Sequence, residues 1–295
     1  MSAVSDVDTT AVFEEHRPTL TGVAYRMLGR FADAEDVVQD AWLRWSAEKR
    51  EDVRDPGGYL VTITTRLVID RLRQARTRHE TYVGPWLPEP VATRFVPSSP
   101  DGAERAELRE SVSLAVLIVL ESLSPLERAV FVLREAFGFP YADIAAAVEC
   151  SEAAARQLAG RARRHVEERK PRYDVDAAQR RELTERFLAA AGGGDLDALL
   201  GLLAPDVRLV GDSGGKAKGP RRVIETADKV GRFLFAVTRE PLVGTEYRFT
   251  EVNGAPALLV LVDGLPDTVV QVEARDGRIQ CVYVMRNPDK LANAL

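Results

Sequence analysis

The chain has 295 residues, of which 45% are hydrophobic and 29% charged, with a formal net charge of −5. This length suits two or three domains, and no run approaches the ~20 apolar residues of a membrane span. No basic-then-apolar leader opens the sequence, and Cys150 and Cys281 lie too far apart for metal-ligand spacing, so a reduced, cytoplasmic protein is expected. The negative total does not exclude nucleic acid, because affinity for phosphate depends on local cation clusters. Residues 151–172 carry seven Lys or Arg against three Glu, and residues 55–79 carry five Arg against two Asp.

From Val12 to Arg78 apolar residues recur at helical spacing, with breaks at Gly29-Arg30 and at Asp55-Pro56-Gly57-Gly58, which predicts three helices. In the second, Ala34, Val37, Val38, Ala41 and Trp45 form one stripe and Asp33, Asp36 and Asp40 its neighbour. Carboxylates so close repel unless a cationic partner is present, so this face is either a docking surface for a basic protein or plain solubilising charge. The third helix starts well, with Asp55 as cap and Pro56 in the first turn. Leu60, Ile63, Leu67, Val68 and Leu72 are its expected buried stripe, leaving Tyr59, Thr62, Thr65, Arg66, Asp70, Arg73 and Arg76 more exposed. Cations led by an aromatic suit a partly single-stranded nucleic acid, against the alternative of a solvated cationic helix.

Residues 81–102 hold five of the sixteen prolines and read as a linker. A second helical block runs from about Ala103 to Lys170, broken at Ser124-Pro125, Gly138-Phe139-Pro140 and Glu149-Cys150-Ser151. Within it, Tyr141 to Val148, a three-residue turn, and a helix capped by Ser151 have helix-turn-helix spacing. Ala145, Ala153 and Ala154 are the expected close-crossing residues, with Ile144, Val148 and Leu158 as the shared apolar contact. Arg156 and Gln157 are placed to reach base edges, and Arg161, Arg163 and Arg164 phosphates; an ordinary Arg-rich helical hairpin is the competing reading. Beyond Pro171 one helix, Ala177 to Ala191, precedes β-type runs at Val207–Val210, Tyr247–Val252, Ala257–Val262, Thr268–Ala274 and Ile279–Met285. Turns at Asn253-Gly254, Asp263-Gly264 and Asp276-Gly277 predict hairpins, and hence a curved antiparallel sheet covered by helices.

These features, in this order, resemble the extracytoplasmic-function sigma factors over roughly residues 8–170. The resemblance implies a first domain (1–80) that meets core RNA polymerase through Asp33, Asp36, Gln39 and Asp40 and the −10 promoter element through Tyr59, Arg66, Arg71, Arg73 and Arg76. It implies a second domain (104–172), after a Pro-rich linker (81–103), that reads the −35 element through Ser151, Arg156, Gln157, Arg161, Arg163 and Arg164. The fold class expected is therefore multidomain: two all-α sigma domains, the second with the helix-turn-helix, then an α+β, cone-shaped SnoaL-like domain over 174–295.

A subgroup of the family carries such an extension. Trp86-Leu87-Pro88-Glu89-Pro90 matches its linker motif, and Asn287-Pro288-Asp289-Lys290-Leu291 its tail. Asp212-Ser213-Gly214-Gly215-Lys216 matches its loop except that Ser213 replaces Gly. The resemblance implies that the extension contacts the linker and first domain, with these residues as the interdomain set, and tunes promoter or polymerase binding in cis, with no catalysis, no cofactor and no metal. Two other readings stay open: a helix-turn-helix regulator with a small-molecule ligand in the C-terminal domain, and a cyclase or isomerase with helical appendages. For the latter, Asp206, Asp212, Glu225, Asp228, Glu246, Glu251 and Glu273 are conceivable bases, and no His lies beyond His165. The Gly-Gly-Lys loop is not a nucleotide P-loop, because Gly211 stands one residue too close and Ala217 replaces the Mg²⁺-binding Ser/Thr.

Overall fold

A computed structural model describes residues 3–47, 53, 55–79, 82–93, 113–169, 177–238 and 243–295. The chain divides into two units, residues 1–80 with 96–170, and residues 81–95 with 171–295. In the first, α1 (Ala3–Leu28) ends at Gly29, whose N–H donates to the Tyr25 carbonyl at 2.8 Å in the left-handed conformation that glycine permits. Next come α2 (Phe31–Ala47) and α3 (Pro56–His79), where the Gly58 N–H donates to the Asp55 carboxylate at 3.1 Å. Phe13, Leu20, Ala24, Val38, Leu60 and Val68 are fully or almost fully buried in this unit.

The second helical block consists of α4 (Leu114–Glu121), α5 (Pro125–Phe131), a π-helical turn (Val132–Ala136), α6 (Tyr141–Val148) and α7 (Glu152–Arg169). Ser124 and Glu127 form a reciprocal capping box with Pro125 in the first turn, which fixes the start of α5. Glu149 ends α6 in the left-handed conformation, at φ 57°. The two helical blocks share one interior. Arg128 of α5, buried, donates to the Met27 carbonyl of α1 at 2.7 Å. Arg26 of α1, also buried, donates to Gly22 O at 3.1 Å and lies 4.9 Å from the ring centroid of Phe137. Burial lowers the Arg26 pKa to about 10, still a cation at neutral pH, and the ring face and carbonyl replace its lost water.

In the second unit, α8 (Ala177–Gly193) and α9 (Leu196–Leu202) lead into β1 (Leu203–Asp212). Then follow β2 (Ile224–Glu225), α10 (Ala227–Thr238), β3 (Thr245–Val252), β4 (Ala255–Val262), β5 (Leu265–Arg275) and β6 (Arg278–Met285). The strand order is β2-β1-β6-β5-β4-β3. Leu183, Phe187, Leu199, Val207, Leu209, Val230, Val272, Ile279 and Val282 make the core between helices and sheet. Asn253, Asp263 and Asp276 adopt positive φ, each followed by a positive-φ glycine, so both central residues of every hairpin turn have the handedness that matches strand twist.

One expectation needs correction, and other features go beyond the sequence pattern. The sheet is not wholly antiparallel: β1 pairs with β6 in parallel, because the long excursion through α10 and three hairpins returns the chain in the same direction. The run from Leu196 to Leu202, the edge pair Ile224–Glu225 and the helix Ala227–Thr238 are further elements that periodicity did not single out. Residues 81–95 of the linker group with the C-terminal unit, where Ala92 bridges to Val252 as an added antiparallel rung.

Candidate polymerase and nucleic-acid interface

The acidic helix α2 turns Ala34, Val37, Val38, Ala41 and Trp45 inward. Asp36, Gln39 and Asp40 are exposed and Asp33 is half-buried. The cation that this face requires comes from within the chain: the Arg71 guanidinium of α3 lies 2.8 Å from Asp36 and 3.5 Å from Asp33. Arg71 is therefore held against the proposed docking face rather than extended as an isolated DNA-binding cation.

Helix α3 is more deeply packed than its sequence pattern suggested. Thr65, expected on an exposed face, is fully buried together with Thr64, whereas Leu67 is only half-buried. The cause is a second neighbour, because α3 packs on α6 as well as on α1 and α2. Arg66 follows from the same contact. It donates to the carbonyls of Ala146 (2.9 Å) and Ala147 (3.4 Å) and lies 3.3 Å from the Glu149 carboxylate. The last carbonyls of a helix have no intrahelical donor and carry negative dipole charge, so a guanidinium settles there. Tyr59 is half-buried against Trp45, with ring centroids 6.0 Å apart, and Arg73 is exposed beside Asp70 at 3.4 Å. The Arg76 side chain lies outside the described residues.

The helix-turn-helix forms from α6 and α7. Ser151 accepts the Ala154 N–H at 3.2 Å, and Ala155, Ala159, Ala162 and Val166 face inward. On α6 the expected residues Ile144, Ala145 and Val148 are buried, but on α7 the expected set was one step out of phase: Ala153 is exposed, Ala154 and Leu158 are half-buried, and Ala155 and Ala159 are buried. Ser151, Arg156, Gln157, Arg161, Arg163 and Arg164 share the exposed side. Arg156 pairs with Glu152 at 2.7 Å and lies 5.3 Å from the Tyr141 ring centroid. Arg161 pairs with Glu127 at 3.3 Å, and Arg163 with Glu135 at 2.6 Å, a hydrogen bond that raises the Arg163 pKa. These are exposed pairs worth at most ~1 kcal/mol each, weak enough to exchange for phosphate.

In the C-terminal unit, Asp212 at the end of β1 is buried and accepts four hydrogen bonds. Oδ1 accepts from Tyr82 OH (2.5 Å) and Gly214 N (3.0 Å), while Oδ2 accepts from Leu87 N (2.9 Å) and Lys290 Nζ (2.8 Å). Lys290 also donates to Leu87 O at 2.7 Å, and its ammonium lies 3.9 Å from the Trp86 ring centroid and 5.0 Å from that of Tyr82. Asn287 donates to Tyr82 OH at 2.7 Å, and Lys216 pairs with Asp289. A Cβ at Gly214 would fall 2.5 Å from the Asn287 amide, and one at Gly215 would fall 3.2 Å from Val83, so side chains larger than hydrogen are excluded where loop, tail and linker meet. Pro88 is buried, and Pro288 opens the short 3₁₀ turn that presents Lys290. Sequence reasoning missed Tyr82, the second anchor of the linker, and the pair Asn293–Glu89 at 2.8 Å.

Two segments of the chain match known family signatures: Sigma-70 region 2 over residues 12–78 and Sigma-70, region 4 over residues 113–166. The chain is 40% identical to the ECF RNA polymerase sigma factor SigJ of Mycobacterium tuberculosis over 96% of its own length and 93% of that protein's. The chain is an extracytoplasmic-function sigma factor. This sigma factor is also 36% identical to the probable ECF sigma factor SigI of the same species, over 96% of its own length and 94% of that relative's. The crystal structure of M. tuberculosis SigJ matches it at a TM-score of 0.75 with 38% identity, covering 97% of this chain and 99% of that one. The sigma factor accordingly binds core RNA polymerase and directs promoter-specific transcription initiation. Its helical regions precede an α+β domain built on the six-stranded sheet, as the match over the whole SigJ structure supports. Among the described residues, no helix is long and apolar enough to cross a membrane.

The carboxylates considered as catalytic bases are dispersed. Asp212 is occupied by its four donors. Glu273 alternates with Val272 and Ala274 of the helix-side core and so points from the other face of the sheet. There it accepts from Tyr283 OH at 2.5 Å, and burial raises its pKa to about 7. A cavity of ≈ 100 Å³, lined by Arg181, Thr184, Phe249, Thr250, Glu251 and Pro256, lies well below the roughly 300 Å³ of an ordinary small-molecule site.

Proposed function

We propose that this sigma factor acts in the cytoplasm as an alternative initiation factor whose C-terminal domain regulates it in cis, without catalysis, by holding the linker between regions 2 and 4. The carrying observation is the Asp212 carboxylate, which binds Tyr82 and Leu87 of the linker and Lys290 of the tail at one point. Regions 2 and 4 must reach separate promoter elements, so the length and freedom of the chain between them set how both can be occupied together. Clamping residues 82–93 to the sheet restricts that part of the connection. Asp40 and Gln39, with Asp36 and Asp33 around Arg71, form the proposed polymerase-docking face. Tyr59 and Arg73, with Arg66, Arg71 and Arg76, form the proposed −10 set, and Ser151, Arg156, Gln157, Arg161, Arg163 and Arg164 the −35 set. Arg66 takes part in −10 recognition only after it leaves the end of α6.

Run-off transcription with purified core polymerase, comparing the full chain with a chain lacking residues 174–295, tests the regulatory role. Altered output per bound sigma factor is expected; identical output at matched core occupancy would refute regulation in cis.

A further inference from the structure

Between the Asp212 clamp and β2, residues 213–222 read Ser-Gly-Gly-Lys-Ala-Lys-Gly-Pro-Arg-Arg, with four cations and no acid. Lys216 is paired with Asp289. Lys218, Arg221 and Arg222 are exposed and have no ion-pair partner among the described residues. The segment is well held. The Lys216 N–H donates to Ser213 O at 2.9 Å, and Arg286 donates to Lys218 O at 2.9 Å while gripping Asp267 at 2.8 Å. A Cβ on Gly211 would fall 2.6 Å from Pro220, so the two ends of the excursion touch. Its backbone is thus fixed at both ends while three cationic side chains project into water. Elsewhere in this domain Arg181, Arg232 and Arg248 are paired locally with Glu185, Asp228 and Glu246, while Arg186, Arg208 and Arg278 are exposed without an ion pair among the described residues; in residues 218–222 three such cations stand within five positions. An ordered loop with unneutralised cations has lost part of its ordering cost in advance and keeps its full charge for a polyanion.

We propose that this basic loop is an additional contact to the phosphate backbone of promoter duplex DNA, made by the C-terminal domain itself. The inference rests on the promoter-binding reading above and adds a surface to it. The loop packs on the linker immediately after α3: a Cβ on Gly84 would lie 3.6 Å from the Arg221 Cα, and one on Gly215 3.2 Å from Val83. Gly84 follows His79, the last residue of α3, by five residues, a tether of at most about 18 Å. DNA held by α3 therefore stays at high effective concentration for the loop, so three weak point-charge contacts suffice. Such contacts are indifferent to base sequence and release counterions, giving about 0.9 of slope in log K against log salt per phosphate neutralised.

The test is promoter-duplex binding by holoenzyme from 50 to 200 mM salt, with wild type and Lys218→Ala/Arg221→Ala/Arg222→Ala in the full chain. The triple variant should lose up to about 2.7 of the salt slope, making its deficit on the order of 40-fold larger at 50 mM than at 200 mM salt and equal for matched and mismatched promoters. The charge-matched control Arg232→Ala/Arg248→Ala/Arg275→Ala should keep the wild-type slope. Urea midpoints for both variants should match wild type, since all six side chains are exposed. A wild-type slope in the triple variant, or equal losses in the control, overturns the proposal while leaving promoter binding intact. Failure of wild-type holoenzyme to bind the promoter would instead overturn the underlying reading. Loss of single-stranded RNA binding with an unchanged duplex slope would assign the loop to transcript and also overturn it.

Discussion

Replacing Lys290 with Met keeps most of the side-chain volume between Trp86 and Tyr82 but removes the ammonium. Asp212, fully buried, would then keep its donors Tyr82 OH, Gly214 N and Leu87 N and lose its only charged partner among the described residues. Breaking a buried pair from one side costs about 3–5 kcal/mol, because the remaining charge stays desolvated. The Leu87 amide reports this directly, since its N–H donates to the same carboxylate oxygen as Lys290, at 2.9 Å. Amide exchange at Leu87 should accelerate by about two to four orders of magnitude if the loss appears as local opening of the linker. The second substitution Asp212→Asn should recover part of the loss, because no uncompensated charge remains. Exchange at Leu87 within threefold of wild type in Lys290→Met, or a double variant worse than the sum of its singles, would refute the claim that the pair holds the linker.

Asp36→Ala should weaken association with core polymerase, measured by fluorescence anisotropy, while changing unfolding free energy by less than about 1 kcal/mol, since its pair with Arg71 is exposed. Arg156→Ala should cost about 1–3 kcal/mol of promoter binding and relax discrimination at one −35 base, whereas Arg164→Ala should weaken all promoters alike in titrations against a base-substitution panel. Glu273 has a folded pKa of about 7, above its unfolded value, so its stabilising contribution is complete below the unfolded pKa and is lost as pH rises through 7. Glu273→Gln should remove that loss, roughly 3 kcal/mol between pH 4.5 and 8 at most. Denaturant titrations at pH 5 and pH 8 with equal wild-type-minus-variant differences would contradict it.

Local chemistry made much of the helical half legible. Ser124, Asp55 and Ser151 act as the caps their positions announced, and the hairpin turns lie where Asn-Gly and Asp-Gly stand. Partner choice was not legible, because it is decided across the fold. That Arg71 would neutralise Asp36, and Arg66 would cap α6, requires knowing that α3 lies against both α2 and α6. The same second neighbour buries Thr65. In the recognition helix, alanines at 153, 154, 155 and 159 offered no contrast by which to set its phase. The parallel pairing of β1 with β6 joins segments about seventy residues apart, beyond any local signal. For the clamp, the motif resemblance named Asp212, Trp86 and Lys290, but Tyr82 precedes the motif and its role emerges only from the hydroxyl that reaches Asp212.

Control of initiation through the linker is read by run-off transcription with core polymerase on a promoter with both elements, comparing wild type, Lys290→Met and Asp212→Asn/Lys290→Met at equal core occupancy. The transcript should depend on the sigma factor, its yield should change when the clamp is broken from one side, and the double variant should return part of the way toward wild type. Equal yields from all three would contradict control through the linker, and no transcript from wild type would contradict promoter-directed initiation itself.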